Sequence, residues 1–487
     1  MNRHIRFVAY GILVLFGVVF VNLNLIQVIN AESLAGHEAN LRTLLREYSI
    51  ERGPILSADG ETLARSEPTP EERLKFLRTY PAGPAFAHVT GFYSFIFGRE
   101  ALEDSYNDAL TGRGGVLTMQ DLGDSLLRGG RRGDTVIVSI DTRVQNAAIA
   151  ALGSRKGAVV AVDPRTGELL AMASFPPYDP NPLSSHSSQQ IREIHEALGA
   201  DPNKPMLNRA INEAYPPGST FKVVTATAAL EHGKGIDTRF PSTGRYQPPQ
   251  TDRTIGNFGG GSCGGDMADA LRVSCNTYFA RLGAEISADD FSETLRNFGL
   301  GERPPLDIRA AASRIPSEDE IDSPAFRALS AIGQFEIRMT PLQMALVAAA
   351  VANGGSMPTP SIMKEIRDVR GTVVRQPEDR EWRRAMTEET ASIMKGLMVN
   401  VVRSGTGRRA QISGIEVGGK TGTAQAGQEG VAPHAWFIAF AGDANPRIAV
   451  AVIVENGGEL GSEATGGVVA APIAKAVIEA HRSVAGW

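Results

Sequence analysis

The sequence has few of the features that mark metal-dependent or nucleic-acid-binding proteins. It contains two cysteines and eight histidines in 487 residues, and two cysteines without a histidine cluster make a poor metal site. The formal net charge is −5 and no basic tract is present, so no electric field attracts nucleic acid. The HExxH pattern, the P-loop and the dinucleotide fingerprint are absent. We therefore expect no metal, no cofactor and no nucleic-acid partner.

The first 30 residues differ from the rest of the chain. Residues 7–29 are almost wholly apolar and uncharged, and at ~1.5 Å per residue such a helix reaches about 35 Å, enough to cross a bilayer. Arg3 and Arg6 precede it, so the N-terminus is expected in the cytoplasm and the rest outside. The alternative is a cleaved signal peptide, whose apolar core is usually shorter, about 7–15 residues. We predict a retained transmembrane anchor over residues 1–30.

Three polar residues lie within or beside the apolar segment: Asn22, Asn24 and Gln27. Polar groups at this depth often face another helix. The alternative is that they sit near the outer interface of the membrane.

The two cysteines, Cys263 and Cys275, are separated by twelve positions. A chain that faces outward meets oxidising conditions, so a disulfide between them is a possibility. Two buried free thiols are the alternative.

Residues 31–133 predict a small, irregular spacer, or pedestal, with a modest core. Strand pieces at 50–56 and 62–64 flank a turn that contains Asp59-Gly60. A helix-like stretch covers residues 99–110, and the remainder is rich in glycine and arginine.

From residue 134 the pattern becomes regular and predicts a large domain over 134–487. Its expected elements are a strand (DTVIVSID), a helix ending at Gly153, a hairpin over 156–174, strands at 415–424, 435–441 and 447–454, and a helix over 465–483. The middle of the domain reads as mostly helical. Strands at both ends with helices between them imply a mainly antiparallel sheet sandwiched by helices, in a multi-domain α/β chain.

The stretch YPPGSTFKVV places Ser219 and Lys222 three residues apart at a predicted helix start. The positive helix end favours negative charge on Ser219, and a crowded positive neighbourhood would lower the pKa of Lys222 so that it can accept the serine proton. The pattern is weak alone, because Ser361/Lys364 and Ser392/Lys395 repeat it. We expect the former pair on an exposed strand and the latter inside an amphipathic helix capped at Thr387.

A second stretch, RVSCNTY, places Ser274 and Asn276 on either side of Cys275, in a predicted turn between helices at 266–273 and 277–285. A hydroxyl and a carboxamide two residues apart can reach one ligand from a turn. This pattern also occurs at Ser105-Tyr106-Asn107.

The third stretch, GGKTGTAQ, is a glycine-flanked strand that carries Lys420. Glycine weakens a strand unless something approaches the backbone closely, so Gly422 is predicted to let a substrate lie along the strand edge. Lys420 would supply charge, and Thr421 and Thr423 hydroxyl groups. The chain has only nine lysines among its 49 basic residues. Because lysine is this rare, chance placement is a weaker explanation for a lysine in this motif.

One further match is rejected. Residues 260–264, GGSCG, fit the G-x-S-x-G pattern of hydrolases, but that pattern needs a preceding strand, and TIGNFGGG does not read as one.

Taken together, the serine–lysine, serine–x–asparagine and lysine–threonine–glycine stretches resemble the penicillin-binding protein and serine β-lactamase superfamily. The resemblance covers about residues 134–487, and RGPILSADGETLA resembles the pedestal of class B penicillin-binding proteins. Chain length, the paired cysteines, GFYS and AWFIAF are most similar to the penicillin-binding protein A subgroup. Other segments that carry the resemblance are GAVVAVDPRTGELLAMAS, PPYDPN, NRAINEAYPPGSTFK, AIGQFEIRMTPLQMA and HAWFIAFAG.

The resemblance implies a D,D-transpeptidase that crosslinks peptidoglycan stem peptides in division or elongation and is a target of β-lactams. It makes Ser219 the nucleophile, Lys222 the base and Ser274 a proton relay. Asn276 would hold the substrate amide, and Lys420 would set the positive field. Thr421 and Thr423 would bind the substrate carboxylate, and the N–H groups of residues 219 and 423 would form the oxyanion hole.

Two departures qualify this resemblance. The second motif reads Ser-Cys-Asn rather than Ser-Asp-Asn, which class B relatives tolerate and which places Cys275 in the wall of the site. The spacer is too short for the glycan-polymerising domain of bifunctional relatives. A separate membrane glycosyltransferase is therefore the expected partner, met through the anchor and pedestal.

Several rival functions stay open on the sequence. A D,D-carboxypeptidase differs only in using water as the acceptor. A β-lactamase shares the motifs but usually lacks a pedestal and a retained anchor. A β-lactam sensor would need several membrane spans, and an inactive scaffold would be expected to have lost a motif.

Overall fold

A computed structural model describes most of the chain, and its internal contacts divide the chain into two units. The first unit comprises residues 1–51, 67–77 and 117–131, and the second comprises 52–66, 78–116 and 132–487. The described residues are 2–26, 47–71, 74–113, 132–378, 380–425, 431–442 and 445–487.

The regular elements follow one another in chain order. The strands of the described residues, β1 to β19, are Ile55–Leu56, Thr62–Pro68, Phe76–Thr79, Tyr93–Ser94, Gly98–Arg99, Thr135–Val138, Gly157–Val162, Leu169–Phe175, Phe240–Thr243, Arg245–Tyr246, Ile255–Gly256, Cys263–Gly265, Ser356–Pro358, Met363–Arg367, Val373–Arg375, Glu381–Arg384, Glu416–Ala424, His434–Gly442 and Pro446–Val454. The α-helices, α1 to α15, are Asn2–Asn24, Ala87–Thr90, Ala101–Ser105, Asn107–Leu110, Thr142–Leu152, Ser188–Ala200, Lys222–Glu231, Met267–Arg272, Asn276–Glu285, Ala288–Asn297, Glu318–Asp322, Pro324–Ser330, Pro341–Ala352, Glu388–Ser404 and Ala471–Ala485. Shorter 3₁₀ or π turns occupy Gly83–Phe86, Asn181–Ser184, Gly218–Phe221, Phe258–Gly260, Arg408–Ala410, Glu455–Glu463 and Gly466–Ala470.

In the first unit, α1 contains the apolar segment. Its stretch Ile5–Asn24 has a mean hydropathy of 2.1, and none of its residues is buried in the protein. The helix is long and apolar enough to cross a membrane. The helix begins earlier than the predicted segment 7–29, and Gln27 lies outside the described residues. The side chain of Asn24 donates to the carbonyl of Phe20 at 2.8 Å, so one polar group is satisfied within the helix itself.

The second unit is built around a five-stranded sheet of order β17-β18-β19-β7-β8, antiparallel throughout. This confirms the predicted sheet, and the observed strands match the expected ones within one or two residues. Side chains alternate between its faces. Val159 and Ala161 belong to a core shared with α5 and α15, whereas Ala158 and Val160 belong to the core that contains α13. Helices therefore cover both faces, as predicted.

Helix α13 is the central helix of one layer, and all of its residues are buried. A helix that is apolar on every side must lie inside the protein. It packs on β7, β18 and β19. Helix α14 and the turn Gly218–Phe221 contact the edge strand β17, which brings the serine of the first motif to this edge.

A second sheet has the order β15-β14-β6-β1-β2-β3. The predicted hairpin around Asp59-Gly60 is the antiparallel pair β1 and β2, although β1 begins at Ile55 rather than residue 50. The helix expected over 99–110 is two short helices, α3 and α4. The prediction of an exposed strand after Pro360 was wrong. Strand β14 has neighbours on both sides, Met363 and Ile366 are buried, and only Lys364 and Arg367 of its residues are exposed.

Glu103 forms the polar centre of this region. Its carboxylate lies 2.7 Å from the Arg52 guanidinium and 2.6 Å from that of Arg78, and all three side chains are at most 2% exposed. Burial opposes ionisation, but the two guanidinium groups hold the pKa of Glu103 below its ordinary value. A buried carboxylate is tolerated here because both of its oxygens are paired.

Candidate active site

The first motif lies where a 3₁₀ turn runs into a helix. Pro217 precedes the turn Gly218–Phe221, and α7 begins at Lys222. Gly218 has φ +53°, a conformation that favours glycine. The tight turn brings the Lys222 Nζ to 3.0 Å from the Ser219 Oγ. The predicted helix start is therefore present, and α7 ends at Glu231.

The second motif occupies the turn between α8 and α9. Ser274 has φ +62°, uncommon for a residue with a side chain, and Asn276 is the first residue of α9. Cys275 is bonded to Cys263 of β12, with 5.8 Å between their Cα atoms. The bridge ties the turn to a neighbouring strand.

The third motif lies on β17, at the edge of the five-stranded sheet. Lys420 is fully buried. Its ammonium donates to the Ser274 Oγ at 2.8 Å and to the Thr421 carbonyl at 2.9 Å. Three segments that are far apart in sequence therefore meet around Ser274.

The surroundings of Lys222 determine how its amine is oriented. Its Nζ donates to the Ser274 carbonyl at 2.7 Å and to the Asn276 amide oxygen at 2.6 Å. Both partners can only accept, and a neutral amine has two N–H groups. When the amine is neutral, these two bonds use both of its hydrogens. Its lone pair then remains for the hydroxyl of Ser219.

Both lysines are buried, and burial disfavours a charged amine. Burial, followed by repulsion from Lys420, holds the pKa of Lys222 well below its ordinary value. Burial also lowers the pKa of Lys420 to about 7. The direction for Lys222 agrees with the sequence prediction, but burial rather than neighbouring charge is its main cause.

The other residues of the third motif have different surroundings. The Thr421 Oγ1 lies 2.6 Å from the Thr406 Oγ1, and Thr423 is partly exposed. A Cβ at Gly422 would lie 2.8 Å from the Pro217 carbonyl oxygen and 2.9 Å from Thr220. Glycine is therefore required for the Ser219 segment to pack on the strand, a different reason from the substrate approach that the sequence suggested.

Asn276 is engaged at both ends of its amide. Its oxygen accepts from Lys222, and its nitrogen donates to the Gly256 carbonyl at 3.0 Å. The predicted contact with a substrate amide would require the bond to Gly256 to be exchanged.

The competing patterns lie elsewhere. Ser361 donates to the Met363 carbonyl at 2.8 Å and lies beside Asp307, and Lys364 points outward from β14. Ser392 and Lys395 lie within α14, which is capped by the Thr387 side chain as predicted. In the described residues, no group of three His, Cys, Asp or Glu side chains could hold a metal ion.

Two residues next to the site were missed by the sequence analysis. They are Tyr215, which lies four residues before Ser219, and Glu455, which accepts a hydrogen bond from the Tyr215 hydroxyl at 2.8 Å. The two are 240 positions apart, and no local pattern in the sequence connects them.

Comparisons with known proteins agree on one family. The family model described as the penicillin binding protein transpeptidase domain matches residues 157–479, and that of the penicillin binding protein A dimerisation domain matches residues 52–136. Peptidoglycan D,D-transpeptidase PbpA of Mycolicibacterium smegmatis is 39% identical over 99% of each chain. The protein of that name in Mycobacterium tuberculosis is 38% identical over the same shares.

The chain also matches solved structures of penicillin-binding proteins. The structure of penicillin-binding protein A from M. tuberculosis as a ceftriaxone acyl-enzyme complex has a TM-score of 0.85 at 38% identity, and the match covers 90% of this chain and 99% of that one. The penicillin G acyl-enzyme complex of that protein has a TM-score of 0.82, with 88% and 99% covered.

Proposed function

Since the chain belongs to the penicillin-binding protein transpeptidase family, we propose that Ser219 is the residue through which it forms an acyl-enzyme. The chain is a serine-type peptidoglycan D,D-transpeptidase of bacterial cell-wall synthesis and a target of β-lactams. The observation that best supports Ser219 as the nucleophile is the orientation of the Lys222 amine. Its N–H groups donate to the Ser274 carbonyl and the Asn276 amide oxygen, and its nitrogen lies 3.0 Å from the serine hydroxyl oxygen.

The reaction begins with a stem peptide that ends in D-Ala-D-Ala. The lone pair of Lys222 takes the hydroxyl proton as the Ser219 oxygen attacks the penultimate carbonyl carbon. The N–H groups of Ser219 and Thr423 donate hydrogen bonds to the carbonyl oxygen and stabilise the negative charge that develops on it. The C–N bond then breaks, and the leaving amine receives a proton through Ser274. An amine of a neighbouring stem then attacks the acyl carbon and forms the new amide bond of the crosslink. The bond to the Ser219 oxygen breaks, and a proton from the attacking amine restores the serine hydroxyl.

Charge in the site is supplied mainly by Lys420. Its contact with the Ser274 hydroxyl at 2.8 Å connects it to the proton relay. We assign the terminal carboxylate of the substrate to Thr421 and Thr423, beside this positive field. Asn276 acts first on Lys222, whose amine it orients through the 2.6 Å bond.

The proposed domains are an anchor over 1–30, a pedestal over 31–133 and a transpeptidase domain over 134–487. We assign the N-terminus to the cytoplasm and the catalytic domain to the outside, because Arg3 and Arg6 precede the apolar segment. The partner is a separate membrane glycosyltransferase, met through the anchor and pedestal.

The proposed contact with the glycosyltransferase can be tested by substitutions in the membrane helix. Replacing Asn22 and Gln27 with leucine should weaken co-purification of the glycosyltransferase, whereas Val18→Leu, a neighbouring apolar exchange, should not. Equal recovery with both variants would contradict contact through the anchor.

The activity is tested with a synthetic stem peptide and an added acceptor amine. The wild type should form the transfer product and a stable adduct with fluorescent penicillin, and Ser219→Ala should form neither. Ser392→Ala, in another S-x-x-K sequence, is the matched control and should behave as the wild type. Hydrolysis without transfer would favour a carboxypeptidase, rapid loss of the adduct a β-lactamase, and no adduct a scaffold.

A further inference from the structure

The segment just before Ser219 is held by backbone bonds to a distant part of the chain. The Tyr215 N–H donates to the Met339 carbonyl at 3.0 Å, and the Met339 N–H donates back at 2.7 Å. Gly218 donates to the Gly333 carbonyl at 3.0 Å. Both ends of residues 215–218 are therefore fixed on residues 333–339.

Two side chains reach the same segment from the five-stranded sheet. The Trp436 Nε1 of β18 donates to the Pro216 carbonyl at 2.9 Å. The ring of Tyr215 lies edge-on to Trp436, at 6.1 Å between centroids, and to His434, at 5.4 Å. Both aromatic neighbours lie on one strand, so the position of Tyr215 relative to the sheet is closely defined.

The hydroxyl of Tyr215 has a charged partner. It donates to the Glu455 Oε1, which follows β19, at 2.8 Å. The same oxygen accepts from the Arg209 Nε at 2.7 Å, and the Lys156 Nζ lies 3.7 Å from the other oxygen. Bonds from Arg209 and Tyr215 lower the pKa of Glu455 despite its burial. The acceptor of the tyrosine hydroxyl is thus a fixed carboxylate.

Arg209 is itself fixed. Only 2% of its side chain is exposed, and its two terminal nitrogens donate to the carbonyls of Lys204 at 3.1 Å and Asn203 at 2.6 Å. The carboxylate therefore cannot shift without leaving a buried guanidinium incompletely paired. A continuous set of bonds leads from Arg209 through Glu455 to Tyr215, four residues before Ser219.

We propose that Glu455, acting through Tyr215, is a positioning residue that fixes the Ser219 hydroxyl relative to Lys222. Neither residue touches the reacting atoms. Their effect is on the rate of attack, because a displacement of about 1 Å can lower the rate of a reaction on an enzyme about a hundredfold. This inference rests on the proposed role of Ser219.

The test compares two buried tyrosines in the full chain. Tyr215→Phe removes only the hydroxyl that bonds Glu455. Tyr178→Phe is the matched control, because Tyr178 is 4% exposed and its hydroxyl donates to the Ala87 carbonyl at 3.4 Å. Stopped-flow labelling with fluorescent penicillin separates the acylation rate constant at saturation from the apparent Kd, and thermal unfolding is measured in parallel.

We expect Tyr215→Phe to lower the saturating acylation rate constant about tenfold and to leave the apparent Kd within about twofold. Tyr178→Phe should leave both unchanged. Glu455→Gln retains an oxygen that accepts from Tyr215, so it should lose less rate than Glu455→Ala. A wild-type rate in Tyr215→Phe, a loss confined to Kd, or an equal loss in Tyr178→Phe would overturn the proposal. Failure of the proposed role of Ser219 would instead appear as labelling of Ser219→Ala.

Discussion

The substitution Gly422→Ala separates two explanations of the glycine in the third motif. If the glycine serves substrate approach, the change should affect substrate binding. If it allows the Ser219 segment to pack on β17, the change should affect stability and the rate of acylation. The structure favours packing, because an added Cβ would point at Pro217, Thr220 and Trp436.

The size of the effect follows from these contacts. The added carbon would lie 2.8 Å from the Pro217 carbonyl oxygen and 2.9 Å from the Trp436 Cβ, whereas ordinary contacts are 3.4–4 Å. The segment must therefore move by about half an ångström. It has little freedom to do so, because Trp436 and Gly333 hold it on both sides. Overpacking of this kind costs about 1–3 kcal/mol, and the displaced serine should acylate about 10–100 times more slowly.

Thermal unfolding and the saturating rate of penicillin labelling measure the two effects. Gly396→Ala is the control, since Gly396 lies in α14 with nothing within 4 Å of its added Cβ. It should stabilise the chain by about 0.5–1 kcal/mol through helix propensity and leave labelling unchanged. Wild-type stability and a wild-type rate in Gly422→Ala, with only a raised KM for the stem peptide, would refute the packing explanation.

Three further predictions concern the lysines and the cysteines. Asn276→Asp places a carboxylate 2.6 Å from the Lys222 amine, which should raise the pKa of Lys222. Penicillin labelling at pH 7 should then slow about a hundredfold and recover as the pH rises. A rate of labelling that does not depend on pH would contradict this prediction. Lys420→Met should stabilise the chain at pH 7, because it removes an amine whose charged form is disfavoured by burial. That gain should shrink toward pH 10, because between about pH 7 and 10.5 the unfolded lysine holds a proton that the folded one has lost; denaturant unfolding at both pH values decides this. The intact mass without reductant should be lower by two hydrogens than after reduction, and loss of the bridge between Cys263 and Cys275 should cost up to about 3 kcal/mol; free thiols on both would disprove the bridge.

Much of the fold was predictable because its central sheet has strong local signals. The hairpin over 156–174 consists of two apolar runs on either side of a turn. The three late strands are long, apolar and close together in sequence. Their pairing follows from antiparallel connections between neighbours. The strand after Pro360 was misjudged because its lysine and glutamate suggest exposure, whereas its burial depends on β6 and β15, which pair with it from distant parts of the chain.

The site was predictable in composition but not in geometry. Ser219 and Lys222 are close in sequence, so a single turn of helix brings them together. Their relation to Ser274 and Lys420 depends on the tertiary fold and could be anticipated only through the family resemblance. The acceptor pair that orients Lys222 includes the backbone carbonyl of Ser274, which has no signature in a sequence. Glu455 was overlooked for the same reason, since its role arises from a tertiary contact.

The central claim is that Lys222 is neutral in the resting enzyme and can take the proton of Ser219. The chain has nine lysines, so labelling every lysine with ¹³C at its ε-carbon gives a resolvable set of signals, and Lys222→Arg identifies one of them. The signal of Lys222 should titrate far below the ordinary lysine pKa of about 10.4, because burial and Lys420 both oppose its charge. Titration at the ordinary value would contradict the account.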